Sequence, residues 1–154
     1  MVQSKDDRAV EVRLMSSDAD ITACYPVMKQ LRPHIAAEQF VARVRHQMAE
    51  GYQLLAASGR GRLVAVAGFR ISQNLAWGRF LYVDDLVTES SERSKGYGDV
   101  LMRWLIERAR ADKLDELHLD SGVQRFDAHR FYLTHRMKIS SHHFAIDLRP
   151  ARPP

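Results

Sequence analysis

The sequence predicts an α/β fold, with a mixed, mostly antiparallel central sheet and helices on both faces. Three observations predict it. Short apolar runs that alternate with polar residues recur along the chain. In the middle they are separated by glycine-containing turns, and towards both ends by segments of helical periodicity. The chain has 154 residues, 45% of them apolar and 27% charged, enough to bury a sizeable core in one domain.

Ala9–Leu14 alternates as a first strand. Ser17 and Asp18 then offer N-caps to a helix whose apolar positions are Ile21, Cys24, Met28 and Leu31, and which Pro33 ends. A second helix spans 36–50, with Phe40, Val41, Val44 and Met48 on one face and Gly51 as its close. Residues 53–57 and 63–71 form a hairpin around Ser58-Gly59-Arg60-Gly61. After a connection over 72–77, Arg79–Thr88 adds a third strand rich in Leu, Val, Phe and Tyr. A polar bend over 89–95 leads to a long helix from about 98 to 111, striped by Tyr97, Val100, Leu101, Trp104 and Leu105. A short strand over 116–121, a short helix over 127–136 and a last strand over 138–148 complete the order β α α β β β α β α β. One domain over 1–148 is expected, followed by a flexible, proline-rich tail over 149–154. Residues 1–7 are polar and expected to fray.

Composition excludes several function classes. No apolar run approaches the roughly 20 residues that span a bilayer, so no membrane partner is expected. The N-terminus lacks the apolar stretch of a secretory signal. Cys24 is the only cysteine, which points to a reducing, cytoplasmic location. It sits on an apolar helix face, where a buried inert thiol is expected. The net charge of +4 is spread among acids along the whole chain, so nucleic acid is not an expected partner. A basic balance equally suits a phosphate-bearing small ligand.

The chemistry concentrates in Asp84-Asp85-Leu86-Val87-Thr88-Glu89-Ser90-Ser91-Glu92-Arg93-Ser94-Lys95-Gly96-Tyr97-Gly98. This is a strand, a polar bend and an Arg-x-x-Gly-x-Gly that opens a helix. Such a segment can cradle an anion: glycines admit close backbone approach, and unpaired amides and the helix dipole favour negative charge. Arg93 and Lys95 add cations beside it. The same residues could form a glycine-rich turn without a ligand. The Walker pattern is absent, and the dinucleotide pattern fails where Leu101 stands in place of a third glycine.

Arg93–Gly98, preceded by Asp84-Asp85-Leu86-Val87, resembles the acetyl-CoA motif of the GNAT superfamily of N-acetyltransferases. Ala128-His129-Arg130-Phe131-Tyr132 resembles that family's Ala-x-x-x-Tyr helix, and the element order agrees over residues 9–148. The resemblance implies that Leu86, Val87 and Thr88 offer strand backbone to the pantetheine arm. It implies that Arg93, Ser94, Lys95, Gly96, Tyr97 and Gly98 hold the pyrophosphate, with Asp99 continuing into the helix. It implies that Tyr132 protonates the departing thiolate; periodicity alone reads Tyr132 as a core residue beside Phe131. Ser90, Arg125 and Arg136-Met137 depart from the family's usual proline, asparagine and Gly-Phe.

The implied function is acetyl transfer from acetyl-CoA, as co-substrate, to an amine by direct transfer in a ternary complex. The alternative is a non-catalytic acyl-CoA sensor of the same fold. The amine must lose a proton, and Asp84 or Asp85 is the candidate base, either being equally readable as a solvated or ion-paired carboxylate. Strand alternation allows at most one of them to face a given cleft, and Asp84 shares parity with Tyr82, Leu86 and Thr88. No metal is expected: His142 and His143 point apart on a strand, and His118 with Asp120 supplies too few ligands. The acceptor is a small-molecule or protein amine that the sequence leaves unspecified; its specificity is expected from the first two helices and the loops around 30–37 and 72–77, with Arg70, Trp77 and Tyr82 as lining candidates. A homodimer is compatible with the sequence.

Overall fold

A computed structural model describes residues 10–150. The expected frayed start, Ala9 of the first strand and residues 151–154 of the tail lie outside them. The chain falls into two compact units, the first ending at Leu119 and the second beginning at Asp120.

The first unit contains β1 (Glu11–Leu14), α1 (Asp18–Leu31), α2 (Ala37–Ala49), β2 (Gln53–Gly59), β3 (Arg62–Asn74), β4 (Gly78–Thr88), α3 (Tyr97–Ala111) and β5 (Glu116–Leu119). The five strands lie in sequence order. The pairs β1–β2, β2–β3 and β3–β4 are antiparallel, and β4–β5 is parallel because α3 carries the chain back across the sheet. Ser17 caps α1 in a reciprocal capping box with Asp20. The Arg13 guanidinium and the Ser16 and Ser17 amides hold the Asp20 carboxyl well below the usual carboxylate range. Helix α2 begins at Ala36 with no side-chain cap, so it depends on the packing of Phe40 and Val44.

The sheet has two apolar faces. Ile21, Cys24, Val27, Met28, Phe40 and Val44 pack from α1 and α2 onto Leu54, Ala56, Val66 and Val87. Leu101, Leu105 and Ala109 pack from α3 onto Leu55, Ala57, Ala65, Ala67, Phe69, Leu81 and Val83. Adjacent residues of β2 and β3 thus serve opposite faces, as the pleat requires. Helices on both faces agree with the sequence expectation. Cys24 is fully buried, and burial pushes its thiol up to about 12, which makes it an inert packing residue.

One expectation is corrected in β4. Asp85 pairs with Gly68 and Val83 with Phe69, so Asp84 is an extra residue without a partner on β3. This β-bulge reverses the side-chain parity. Before it Leu81 and Val83 face α3; after it Leu86 faces α3 and Val87 faces α1 and α2. Asp84 and Asp85 therefore line the same cleft, contrary to the alternation argument, and Leu86 does not share the face of Asp84.

Gly68 lies opposite the bulge. A Cβ there would overlap the Tyr52 hydroxyl. The missing side chain lets the buried Tyr52 ring cross β3 and donate its hydroxyl to Asp85 Oδ2 at 2.8 Å. Farther along, Gln30 at the end of α1 is bonded to the bend after β4. Its Nε2 donates to Glu89 Oε1 and its Oε1 accepts from the Ser90 amide, both at 2.9 Å. Glu89 also accepts from the Ser91 hydroxyl and amide. These bonds, led by Ser91 and Gln30, hold the Glu89 carboxyl down to about 2.

The second unit holds α4 (Phe126–Thr134). The strand expected over 138–148 does not form among the described residues. Alternation marks which residues would share a face, but a strand also needs a ladder partner, and this segment has none there. Its Ile139, Phe144, Ile146 and Leu148 are exposed.

Gly68→Ala is expected to displace Tyr52 and break its bond to Asp85, at a cost of about 1–3 kcal/mol typical of overpacking. A urea titration against wild type checks this, and an unchanged midpoint would contradict the close approach. Glu89 gives a pH signature. Its folded pKa of about 2 lies below the ordinary 4.5, so its contribution is present above pH 4.5 and is lost as pH falls towards 2. Glu89→Gln should be less stable than wild type at neutral pH, and the gap should close across that window. Urea midpoints of both proteins between pH 7 and 2 measure it.

Candidate active site

Three features of the first unit follow one another along β4 and α3: an open strand edge, an amide-rich loop and a charged cleft. The ladder between β4 and β5 covers only Phe80–Val83 against Glu116–Leu119. Past Val83, β4 stays paired with β3 through Asp85–Thr88 beyond the bulge at Asp84, while no β-ladder among the described residues covers its other edge. That edge is about 13 Å long at the usual rise of a strand. Leu86, Val87 and Thr88, expected to offer backbone to a pantetheine arm, form its second half.

After Thr88 the chain makes a single 3-10 turn over Ser90–Glu92, then enters α3 through Ser94 at φ +63° and Gly96 at φ +88°. Gly96 is the N-cap, and no side chain caps the helix behind it. The first amides of α3 are thus left for another acceptor. A Cβ at Gly96 would meet nothing within 4 Å, so what requires glycine here is the left-handed backbone. Tyr97 turns its ring onto Gly59 at the end of β2, where a Cβ would collide with it. Glu92 accepts from Lys95 Nζ at 2.9 Å and Arg62 Nη2 at 2.7 Å, and Lys95 leads in holding the Glu92 carboxyl below its ordinary value. Asp99 pairs with Arg103 one turn on. Among the described residues, Arg93 has no protein partner and is exposed.

At the other end of the open edge is a cleft of about 410 Å³ lined from α1, α2 and β4. Its carboxylates are both paired. Arg70 holds Asp84 with two nitrogens, Nε at 3.1 Å and Nη2 at 2.7 Å from Oδ2. Arg32 donates from Nε to Asp85 Oδ1 at 2.8 Å and from Nη2 to the Asp84 carbonyl at 3.0 Å. Gln47 accepts from Arg70, whose guanidinium also lies 5.7 Å from the Tyr52 ring centre. Burial, then the Asp85 charge, push the Tyr52 hydroxyl well above its ordinary value, so it stays a donor. The Tyr25 hydroxyl donates to the Ile35 carbonyl at 2.7 Å and anchors the α1–α2 loop that forms the cleft's rim.

The structure thus brings Asp84, Asp85 and Tyr82 to one cleft, with Arg70 behind Asp84. Trp77 lies apart, stacked on His118 with ring centres 3.7 Å away. Tyr132 belongs to the second unit, on α4, half-buried with its ring 5.5 Å from that of Phe131. Burial raises its hydroxyl pKa. Sequence reasoning missed Tyr52, Arg32, Arg43 and Gln47. The helical spacing of Phe40, Arg43, Val44 and Gln47 was the signal for the last two: it puts an exposed cation and amide beside the buried Phe40 and Val44, at the cleft.

Comparison with known proteins shows the family. The acetyltransferase (GNAT) family model matches residues 19–136. The uncharacterized N-acetyltransferase YhdJ of Bacillus subtilis (strain 168) is 33% identical over 124 residues, covering 80% of this chain and 87% of YhdJ. Among solved structures, ribosomal-protein-alanine N-acetyltransferase from Brucella melitensis biovar Abortus 2308 superposes with a TM-score of 0.78 at 18% identity, over 92% of this chain and 100% of that one. AAC(6')-Iy, in complex with the bisubstrate analogue CoA-S-monomethyl-acetylneamine, superposes with a TM-score of 0.80 at 13% identity, over 92% and 99% of the two chains. At those identities the two structures speak for the fold alone. Family match and relative together decide the matter: the chain belongs to the acetyltransferase (GNAT) family and is an acetyl-CoA-dependent N-acetyltransferase.

Proposed function

We propose that the enzyme transfers the acetyl group directly to a small amine in a ternary complex, with acetyl-CoA laid along the open edge of β4. One observation carries this reading: the uncovered stretch 84–88 runs between the loop at Gly96 and the cleft at Asp84. The pantetheine arm carries two amides and can add to that edge as a peptide strand would. Its pyrophosphate would meet the first amides of α3, the unpartnered Arg93, and Lys95 in competition with Glu92. The thioester then arrives where the bulge presents both carboxylates to the cleft.

Asp84 and Asp85 are the proposed acceptors of the amine proton, directly or through water. Each keeps lone pairs beyond those engaged by Arg70, Arg32 and Tyr52. The need is real: a lysine-like amine of pKa about 10.4 is neutral at pH 7 in roughly one molecule in 2,500. Tyr132 is the proposed donor to the departing thiolate, and its raised pKa keeps the proton available at neutral pH. A cytoplasmic location suits an enzyme with a buried, reduced Cys24. Among the described residues, no helix is long and apolar enough to cross a membrane.

Acetyl-CoA should raise the melting temperature of the wild type by mass action. Gly96→Asp should abolish that rise, because a side chain is strained at this φ and its charge opposes the pyrophosphate. A folded variant with an unchanged rise would rule out the loop. For the chemistry, pH–rate profiles at saturating acetyl-CoA separate the two roles. Tyr132→Phe should lower turnover by roughly 10²-fold with little change in acetyl-CoA affinity. Asp84→Asn or Asp85→Asn should lose turnover at neutral pH and regain part of it as pH rises, since the amine then deprotonates unaided. A loss equal at every pH would assign the aspartates to positioning instead.

A further inference from the structure

We propose that the acceptor is a small amine that also carries a carboxylate on an apolar body, and that Arg43 recognises the carboxylate. This rests on the reading of the cleft as the acceptor site and names the class of amine it takes.

The charge balance of the cleft points to an anion. Asp84 and Asp85 look like a trap for a polycation, but each is already neutralised, by Arg70 and Arg32. Arg43 is the other guanidinium that lines the cleft besides Arg32. Among the described residues it makes no hydrogen bond, ion pair or ring contact. Arg32 and Arg43 line the cleft together with His34, while Arg70 stands behind Asp84; with both carboxylates paired, the surplus positive charge sits on Arg43, the arginine of the three that no side chain engages.

Its position on α2 is informative. Phe40, Arg43, Val44 and Gln47 follow the i, i+3, i+4, i+7 spacing of one helix face, and all four line the cleft. Phe40 and Val44 on that face are buried in the core. Arg43 is thus an exposed cation at the mouth of the cleft, beside an apolar floor of Phe40, Val44, Met28 and Ile35 and the polar Gln47 and His34. A guanidinium offers a planar fork of donors, which matches one carboxylate with two parallel bonds. The apolar neighbours fit a hydrocarbon side chain. A polyamine or aminoglycoside would bring several cations to a cleft with no uncompensated carboxylate.

The test uses matched acceptors with the full-length enzyme. Acetyl transfer from acetyl-CoA is followed by free-thiol release for leucine and phenylalanine, for their amides, for 2-phenylethylamine and for spermidine. The wild type should prefer each amino acid over its amide by at least 10-fold in kcat/KM, after correction for the fraction of neutral amine. In Arg43→Gln that preference should fall to within about 3-fold, the loss lying mainly in KM for the amino acid, since a bidentate contact would be gone. Amides or spermidine favoured by the wild type would overturn the proposal, as would a preference that survives in Arg43→Gln. Failure to acetylate any aminocarboxylate would also overturn it. The melting temperature with acetyl-CoA separates these results from failure of the cofactor reading: a rise with the wrong acceptor preference refutes only the substrate class, whereas no rise refutes the site itself.

Discussion

A single unpaired residue in β4 organises the site. Without the extra Asp84 the strand would alternate through its whole length, and one aspartate would point into the packing beneath α3. The bulge spares that face a buried charge, which is costly when unpaired. It places both carboxylates on the side of α1 and α2, and it lies one residue beyond the last pair between β4 and β5. The turn in the acid wall and the start of the free strand edge thus occur together.

Two adjacent carboxylates in a half-buried cleft repel each other. Two like unit charges about 4 Å apart at an effective dielectric of about 20 repel by about 4 kcal/mol. The fold answers by giving each its own guanidinium. Arg70 comes from β3, where it pairs across the ladder with Tyr82, and Arg32 comes from the end of α1. Tyr52 completes the arrangement from α2's far end, through the space left by Gly68. Charge, strand register and a missing Cβ are therefore conditions of one another.

Much of this was legible in the sequence, and the reasons differ by element. Helices α1 and α3 were read to within a residue because their caps and stripes are local: Ser17 at the start of α1, and Tyr97 through Leu105 along α3. The glycine entry to α3 was readable for the same reason, since φ +88° at Gly96 is a local demand. The bulge was not, because it is a mismatch between two strands and no property of Asp84 announces it. Tyr52 was invisible because its reach depends on Gly68, sixteen positions away in the sequence. The last strand was misread because Phe144, Ile146 and Leu148 alternate as a paired strand would, while the ladder is set elsewhere.

The contact between Gln30 and the bend at Glu89 and Ser90 bears on how this chain can change its length. One residue added within α1 before Gln30 would turn the amide by about 100° and shift it by about 1.5 Å, and both hydrogen bonds would be lost together. The loop that follows, from Arg32 to Ala36, carries no such contact to the bend. Insertions and deletions should therefore accumulate after Arg32, where they reshape the rim of the cleft, while the number of residues from Ser17 to Arg32, which bonds Asp85 and the Asp84 carbonyl, stays constant.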